Sequence, residues 1–415
     1  MDSEQLRLKR PRIIMLTHRV PYPPNRGDRI RAYHMIRFLA DHAEILLGSV
    51  ADEPWGKEDE KALREVCSEV SLHRLHPHVR WLRAGWSKGT GRSATVGAFY
   101  SPTLARVVQE WTSGQPLDGA ILYCSSMGQY IGSFANRPKR ILVDLVDVDS
   151  QKWDDYADKS SGMKKLLYRH EANRVRSLEH RLEGLADAIS VVSQEEADLY
   201  ARCHPGGAAT AISNGVDHSF FSPASIAEET WKLHRRGRPQ LVFVGVLDYL
   251  PNVQGLKWFC REVLPALRSK YDGIELQMVG RNPSQEVREL GGLPGVRLIG
   301  EVDDVRPYIL ASDFAIAPLQ IARGIQNKVL ESLACERPVI ATVQAATGIE
   351  NNPGMIVANS PQEWGSAVDG LQDTARYENA KRSARQCVVR SYSWNAKLSP
   401  LLEILNLRRE HAEST

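Results

Sequence analysis

Short apolar runs alternate with helix-length segments along this chain, and the alternation occurs in two successive series. Short apolar runs bounded by turn residues are typical of strands that lie in a parallel sheet covered by helices on both faces. The first series predicts strands at residues 13–17, 43–50, 119–123, 141–145, 188–193 and 210–213. Helices are predicted at residues 28–41, 168–183 and 194–203, with Asp28 as the N-cap of the first.

The second series follows a loop-rich stretch, residues 214–239, and predicts a second open α/β domain. Its strands are predicted at residues 241–245, 274–280, 296–300, 314–318 and 338–341. The predicted organisation is an N-terminal domain (1–214), a linker (215–238), a C-terminal domain (239–388) and a helical segment (389–415) that packs back towards the N-terminal domain. Ligands of such sheets bind beyond the carboxyl ends of the strands, so functional residues should follow strands.

The composition excludes several classes of protein. The 415 residues are 42% hydrophobic and 25% charged, which suits a globular enzyme with large cores. A net charge of +3 does not indicate a nucleic-acid binder. The six cysteines show no Cys-x-x-Cys spacing, so neither a zinc site nor a redox motif is visible in the sequence, and a reducing cytoplasm is predicted. No stretch approaches the roughly 20 apolar residues that span a bilayer.

Two segments of the first half follow predicted strands and carry polar side chains. The loop before the first helix contains Arg26, Gly27 and Arg29, and free amides at a helix start favour an anion. An ordinary strand-to-helix turn explains the same pattern. The second segment contains Asp147 and Asp149, which could bind a metal, hold a sugar hydroxyl or cap the next helix.

Two further segments of the chain allow a structural or a functional interpretation. Charges at helical spacing in residues 168–183 favour a solvated helix face. In the second half, Lys328 and Glu331 lie three residues apart on one face of a predicted helix. A diphosphate at that helix start would meet amides, the helix dipole and Lys328, while Glu331 could hold a ribose diol. The alternative is a Lys–Glu surface pair.

Several motifs together resemble retaining glycosyltransferases of family 4. These motifs are Asn214-Gly-Val-Asp217, Phe221-Ser-Pro223, Phe243-Val-Gly245, Lys328-x-x-Glu331 and Pro338-Val-Ile340. Within that family, the segments 323–331 and 248–252 resemble sugar transferases associated with bacterial exopolysaccharide and PEP-CTERM protein-sorting loci.

The resemblance implies a GT-B fold, an α/β architecture of two Rossmann-like domains whose parallel sheets face a central cleft. It also implies a nucleotide-diphosphate sugar as donor, bound mainly by the C-terminal domain, retention at the anomeric carbon, and no metal or other cofactor. The glycine loop at Gly27 would face the donor phosphate and acceptor, Glu331 would bind ribose, and Asp147, with Asp149 second, would lie near the transferred sugar.

The sequence departs from the family pattern at three positions. Arg323 replaces a frequent glutamate, and Val246 and Pro251 stand where the family often has Arg and Lys. Other cations should therefore contact the diphosphate. The predicted donor-binding residues are Arg281, Arg323, Gly324, Asn327, Lys328 and Glu331.

The predicted function is sugar transfer onto a glycan or lipid-linked acceptor in exopolysaccharide biosynthesis. An epimerase of the same fold and a non-catalytic scaffold that binds a nucleotide or glycan are the alternatives. Trp81 and Trp86 lie in a basic stretch, residues 73–92, that predicts peripheral contact with the inner face of the cell membrane. Together with Arg26 and Arg29, these tryptophans form the predicted acceptor or membrane side. The same stretch could line an acceptor cleft or pack its tryptophans inward.

Overall fold

The computed structural model describes residues 10–76, 78, 83, 93–158, 160–236, 239–322, 325–370 and 373–407. The chain divides into two compact units. Unit 1 comprises Met1–Asn214 and Lys397–Thr415, and unit 2 comprises Gly215–Ala396. The segment that we predicted to be a linker, residues 215–238, belongs to unit 2, and the predicted C-terminal helical segment is divided between the units at Lys397.

Unit 1 contains a seven-stranded parallel sheet. Its strands are β1 (Arg12–Thr17), β2 (Glu44–Ala51), β3 (Glu69–Arg74), β4 (Gly119–Tyr123), β5 (Arg140–Val146), β6 (Ala188–Val191) and β7 (Thr210–Ala211). The strand order is β3-β2-β1-β4-β5-β6-β7. Strand β3 was not predicted, because only one of its six residues is buried and its sequence lacks an apolar run.

Helices cover this sheet and join its strands. They are α1 (Gly27–Ala40), α2 (Lys57–Arg64), α3 (Ala94–Ala98), α4 (Pro102–Ser113), α5 (Asp149–Asp158), α6 (Gly162–Leu185) and α7 (Gln194–Cys203), with a 3-10 helix at Ser125–Ser133. The prediction that Asp28 caps α1 is wrong. Arg26 is the N-cap residue and provides no side-chain cap. Asp28 lies in the first turn, where its carboxylate is bound by Arg19 and Arg26.

The interpretation of residues 168–183 as a solvated face is also wrong for two of its glutamates. Glu171 is buried and accepts hydrogen bonds from Ser93 Oγ and the backbone N–H of Thr95, at the start of α3. Glu179 is fully buried. One face of the second half of helix α6 is buried, and the charges at helical spacing therefore include buried carboxylates whose partners lie far away in sequence.

Unit 2 contains a six-stranded parallel sheet. Its strands are β8 (Gln240–Val244), β9 (Glu275–Val279), β10 (Val296–Gly300), β11 (Phe314–Ala317), β12 (Val339–Ala341) and β13 (Met355–Val357). The strand order is β10-β9-β8-β11-β12-β13. Strand β13 was not predicted, because it is a three-residue edge strand with no fully buried residue.

The helices of unit 2 pack around a core that includes the buried Trp364. They are α8 (Glu228–Lys232), α9 (Leu250–Trp258), α10 (Leu264–Lys270), α11 (Gln285–Leu290), α12 (Arg306–Ala311), α13 (Asn327–Ala334), α14 (Val343–Ala346), α15 (Pro361–Gly370) and α16 (Thr374–Tyr392). A π-helical turn, Phe259–Val263, joins α9 to α10. Within the described ranges, no helix is long and apolar enough to cross a membrane.

Two short helices follow, α17 (Trp394–Leu398) and α18 (Pro400–Ile404). Leu405, just beyond α18, packs on the first residue of β4, since a Cβ on Gly119 would lie 3.2 Å from Leu405 Cδ2. The last described residues therefore pack on the sheet of unit 1.

Both sheets contain the strand order of a doubly wound Rossmann sheet, and in each one the order reverses beside the first strand. The reversal lies between β1 and β4 in unit 1, and between β8 and β11 in unit 2. Ligands bind such sheets in the crevice beyond the carboxyl ends of the strands at this reversal. Each unit therefore has one edge at which a site is expected.

Candidate active site

Unit 1 has a cavity of about 690 Å³ at the carboxyl ends of β1, β4 and β5. Its lining includes four of the predicted site residues, which are Arg26, Gly27, Asp147 and Asp149. The predicted residue Arg29 is not part of this lining, and its Nη2 donates to Glu53 Oε2 at 2.6 Å. The strand order and the residues thus indicate the same edge of unit 1.

Lys152 lies between the two aspartates. Its Nζ is 2.8 Å from Asp147 Oδ2 and 3.3 Å from Asp149 Oδ1. Ser125 Oγ donates to the other oxygen of Asp149 at 2.6 Å. Burial raises the pKa of Asp149, while the Lys152 ammonium opposes that shift. Lys152 therefore already supplies positive charge where a metal-binding Asp-x-Asp motif would hold its ion.

His18, which follows β1, is a site residue that the sequence analysis missed. Its ring stacks on Tyr123 at a centroid distance of 5.9 Å. Burial, with the neighbouring Arg19, lowers the pKa of His18 to about 4, so the imidazole is neutral at pH 7. Nε2 lies 3.2 Å from Arg19 Nη1, which has hydrogens to donate, so Nε2 is the accepting nitrogen. The only sequence signal for His18 was its position directly after a strand.

A buried ion pair fixes the wall of this cavity. Arg31, on α1, is 1% exposed, and its Nε donates to Asp144 Oδ2 on β5 at 2.9 Å. Its Nη1 donates to Asn214 Oδ1 at 3.0 Å. Because a buried guanidinium without its partner is very costly, this contact holds the start of α1, the end of β5 and Asn214 together.

The loop before α1 is held by arginine–aspartate contacts. Arg19 Nη1 and Arg26 Nε donate to the Asp28 carboxylate at 2.7 and 2.8 Å. Burial by itself would raise the pKa of Asp28, but the hydrogen bonds from Arg26 and Arg19 lower it to about 2. The carboxylate is therefore ionised at neutral pH and orders two cations at the cavity.

In unit 2, glycines follow the adjacent strands β8 and β9, and a third glycine ends β10. Gly245 N donates to Val279 O at 3.0 Å, and Gly280 N donates to Gly300 O at 2.7 Å. A Cβ on Gly280 would lie 1.7 Å from Gly245 O, and Gly280 has a φ of +152°. Only glycine fits this position, since the backbones after β8 and β9 are in direct contact.

Lys328 and Glu331 lie on α13, the helix that follows β11. Lys328 Nζ donates to Asn252 Oδ1 at 2.7 Å and lies 4.4 Å from the centre of the Phe243 ring. Burial lowers the pKa of Lys328 to about 8 and raises that of Glu331 to about 7, while the attraction between the two groups opposes both shifts. Burial thus disfavours both charged forms, and perturbed pKa values beyond a strand end make this pair a candidate for the functional site.

The remaining predicted donor residues are placed as follows. Arg281 is exposed after β9, and its backbone oxygen accepts from Leu247 N at 2.9 Å. Asn327 is the exposed first residue of α13. Arg323, Gly324, Trp81 and Trp86 lie outside the described residues.

Comparison with known proteins finds a family model that is similar to part of unit 2. Residues 238–373 match the family model described as "Glycosyl transferases group 1". This match covers 136 of the 415 residues, all of them within unit 2. The matched region contains the strands β8–β13 and the Lys328–Glu331 pair, so it includes the sheet edge described above. A search of the curated proteins gives no match.

Solved structures similar to this chain include several proteins of low sequence identity. Anabaena Alr3699/HepE in complex with UDP and glucose is 15% identical, with a TM-score of 0.62 over 95% of this chain and 99% of that chain. A glycosyltransferase from Rickettsia africae is 13% identical, with a TM-score of 0.62 over 97% and 99%. Sucrose-phosphate synthase from Thermosynechococcus elongatus is 15% identical, with a TM-score of 0.61 over 95% and 98%. The glycosyltransferase GT-B fold, with two Rossmann-like domains, is thereby confirmed.

Proposed function

We propose that this protein is a retaining, metal-independent hexosyltransferase of family 4 that takes its sugar from a nucleotide-diphosphate sugar. The observation that carries the proposal is the Lys328–Glu331 pair at the sheet edge of a glycosyltransferase group 1 domain. Both groups are destabilised as ions without a ligand. A nucleoside diphosphate relieves both, because its phosphates neutralise an ammonium and its ribose hydroxyls donate to a carboxylate.

Unit 2 is the donor-binding part in this proposal. Lys328 contacts the diphosphate, and Glu331 accepts from the ribose hydroxyls. Arg281, Arg323, Gly324 and Asn327 complete the donor site. The complexes of the Anabaena protein with UDP and with UDP-glucose support a uridine nucleotide as the first donor to test.

Unit 1 supplies the residues that contact the acceptor and the transferred sugar. Asp147 and Asp149 accept hydroxyl hydrogen bonds there. A metal ion is not required in this proposal, since Lys152 already provides a cation in contact with both carboxylates. Negative charge that develops on the departing diphosphate is then stabilised by Lys328 and other cations. In a retaining reaction that proceeds on one face, the departing phosphate takes the proton of the acceptor hydroxyl.

A transfer assay tests the function. Nucleoside diphosphates are first ranked by the rise in melting temperature that each one causes, because a ligand of the native state stabilises it by mass action. The matching labelled nucleotide sugars are then incubated with a panel of glycan and lipid-linked acceptors, with Glu331→Gln as the test variant and the exposed Glu262→Gln as its control. We expect transfer by wild type and Glu262→Gln, much weaker transfer by Glu331→Gln, and a product anomer that matches the donor by NMR.

Three outcomes would contradict the proposal. Isomerised nucleotide sugar without any acceptor would identify an epimerase. Donor binding with neither transfer nor hydrolysis across the panel would identify a binding scaffold. A product of inverted anomeric configuration would remove the retaining mechanism.

The acceptor is the second part of the proposal. We propose a glycan or lipid-linked acceptor of exopolysaccharide biosynthesis, reached at the inner face of the cell membrane through the basic stretch that contains Trp81 and Trp86. Arginine and lysine attract anionic headgroups, and tryptophan prefers the headgroup level. Flotation with anionic liposomes should recover wild type and the control Trp55→Ala, but not Trp81→Ala/Trp86→Ala. Recovery of none of them at low salt, or of all of them equally, would contradict the contact.

A further inference from the structure

A second group of titratable side chains lies in unit 1, at the C-terminal ends of α6 and α7, and none of its members lines the cavity. The group consists of His180 and Glu183 on α6 and His204 directly after α7. Each offers one ligand atom, and the three atoms lie within 4.8 Å of one another. Two of the residues are three positions apart on one helix, which is a spacing that places side chains on the same face.

The hydrogen bonds around His204 determine which of its nitrogens is available. The side chain is 2% exposed, and Nε2 lies 3.2 Å from Glu179 Oε2. Glu179 is fully buried, and its other oxygen accepts from Ser150 N at 3.1 Å. Because a carboxylate only accepts, Nε2 carries the proton, and the neutral ring then has a lone pair on Nδ1. Metal-binding histidines are typically oriented in this way by a carboxylate on the other nitrogen.

The lone pair of His204 Nδ1 faces a carboxylate. Glu183 Oε1 lies 3.9 Å away, which is too far for a hydrogen bond. A lone pair and a carboxylate oxygen that face each other repel unless a proton or a metal ion lies between them. The third residue of the group is His180, whose Nδ1 lies 3.0 Å from Glu183 Oε2. The His180 side chain is 74% exposed, so it can turn towards a shared ion.

The carboxylate of Glu183 is held in place by its surroundings. Tyr200 Oη donates to Glu183 Oε1 at 2.9 Å. A Cβ on Gly207 would lie 2.1 Å from the same oxygen, so any other residue there would displace the carboxylate. These contacts orient Glu183 towards the two histidines.

We propose that His180, Glu183 and His204 bind one divalent transition-metal ion of the zinc class, with Glu179 orienting His204. Two imidazoles and one carboxylate suit zinc, whereas calcium and magnesium prefer oxygen ligands. The ion ties the end of α6 to the turn after α7, and Glu179 extends the connection to Ser150 at the start of α5. Its role is to stabilise unit 1, and it is separate from the transfer reaction.

Zinc titration of the full chain tests this site. Protein stripped with EDTA and kept reduced is titrated in competition with a chromogenic zinc chelator. The variants are His180→Ala, which removes an exposed ligand without opening the core, and the control His170→Ala, an exposed histidine of the same helix. We expect His180→Ala to bind one equivalent fewer than wild type and His170→Ala, or to bind that equivalent at least about tenfold more weakly. Equal stoichiometry and affinity in all three proteins would overturn the proposal.

Melting temperature provides a second readout that does not depend on enzyme activity. Added zinc should raise the melting temperature of wild type and His170→Ala, because an ion that binds only the folded state stabilises it. The same zinc should leave His180→Ala and Glu183→Gln unchanged, with circular dichroism confirming that both are folded. A rise of equal size in all four proteins, or in none, would refute the site without bearing on the transferase proposal.

Discussion

Glu331→Gln should weaken donor binding and stabilise the free protein at the same time. Burial raises the pKa of Glu331 from 4.5 to about 7. At 1.36 kcal/mol per pKa unit, ionising this group in the folded protein costs about 3 kcal/mol. The folded state holds a proton between pH 4.5 and 7 that the unfolded state has lost. The stability from this group is therefore fully present below pH 4.5 and lost as the pH rises through 7.

The neutral amide of Glu331→Gln removes this cost. Above pH 7, urea denaturation should show the variant to be more stable than wild type by up to about 3 kcal/mol, with the difference vanishing below pH 4.5. Donor binding should change in the opposite direction. At pH 8, loss of charged hydrogen bonds to the ribose should cost about 1.5–3 kcal/mol, which is roughly 10- to 150-fold in Kd.

The pH dependence of binding separates this explanation from a general structural effect. Only about a tenth of free wild type carries a charged Glu331 at pH 6, if its pKa is about 7. Wild-type affinity for the nucleotide sugar should then fall by as much as about tenfold between pH 8 and pH 6, and calorimetry near pH 7 should show proton release on binding. Glu331→Gln should show neither effect, while Glu262→Gln should behave as wild type. A variant less stable than wild type at pH 8, or unchanged donor affinity in a folded variant, would refute the reasoning.

Three more predictions follow from single contacts. Arg31→Met leaves Asp144 buried without its cation and should lower the free energy of unfolding by about 3–5 kcal/mol in urea denaturation; a loss below about 1 kcal/mol would contradict the buried pair. Gly280→Ala forces a Cβ against Gly245 O and should cost about 3 kcal/mol or more, and near-wild-type stability would show that the backbones separate easily. Transfer should persist in EDTA below the melting temperature; loss restored by Mn²⁺ or Mg²⁺ would return Asp147 to the metal interpretation.

The sequence by itself determined the repeated α/β pattern, most strand positions and the residues that follow the strands. It did so because strands buried on both faces need uninterrupted apolar runs, and because Lys328 and Glu331 are close in sequence as well as in space. The two missed strands, β3 and β13, lie at sheet edges, where burial is incomplete and the apolar signal is weak. Local sequence patterns thus predicted the strands and the site residues whose position depends on residues close to them in sequence.

Only the tertiary structure decided which charges are buried and what they contact. Arg31 and Asp144 are 113 positions apart, and Glu179 meets His204 across 25 positions, so spacing along one helix could not reveal either contact. His18 and Lys152 line the cavity for the same reason, because the strand ends and the helix that carry them meet there in the folded protein. A side chain's pKa and partners depend on burial and on distances through space, and those are set when the sheets form and bring distant segments together.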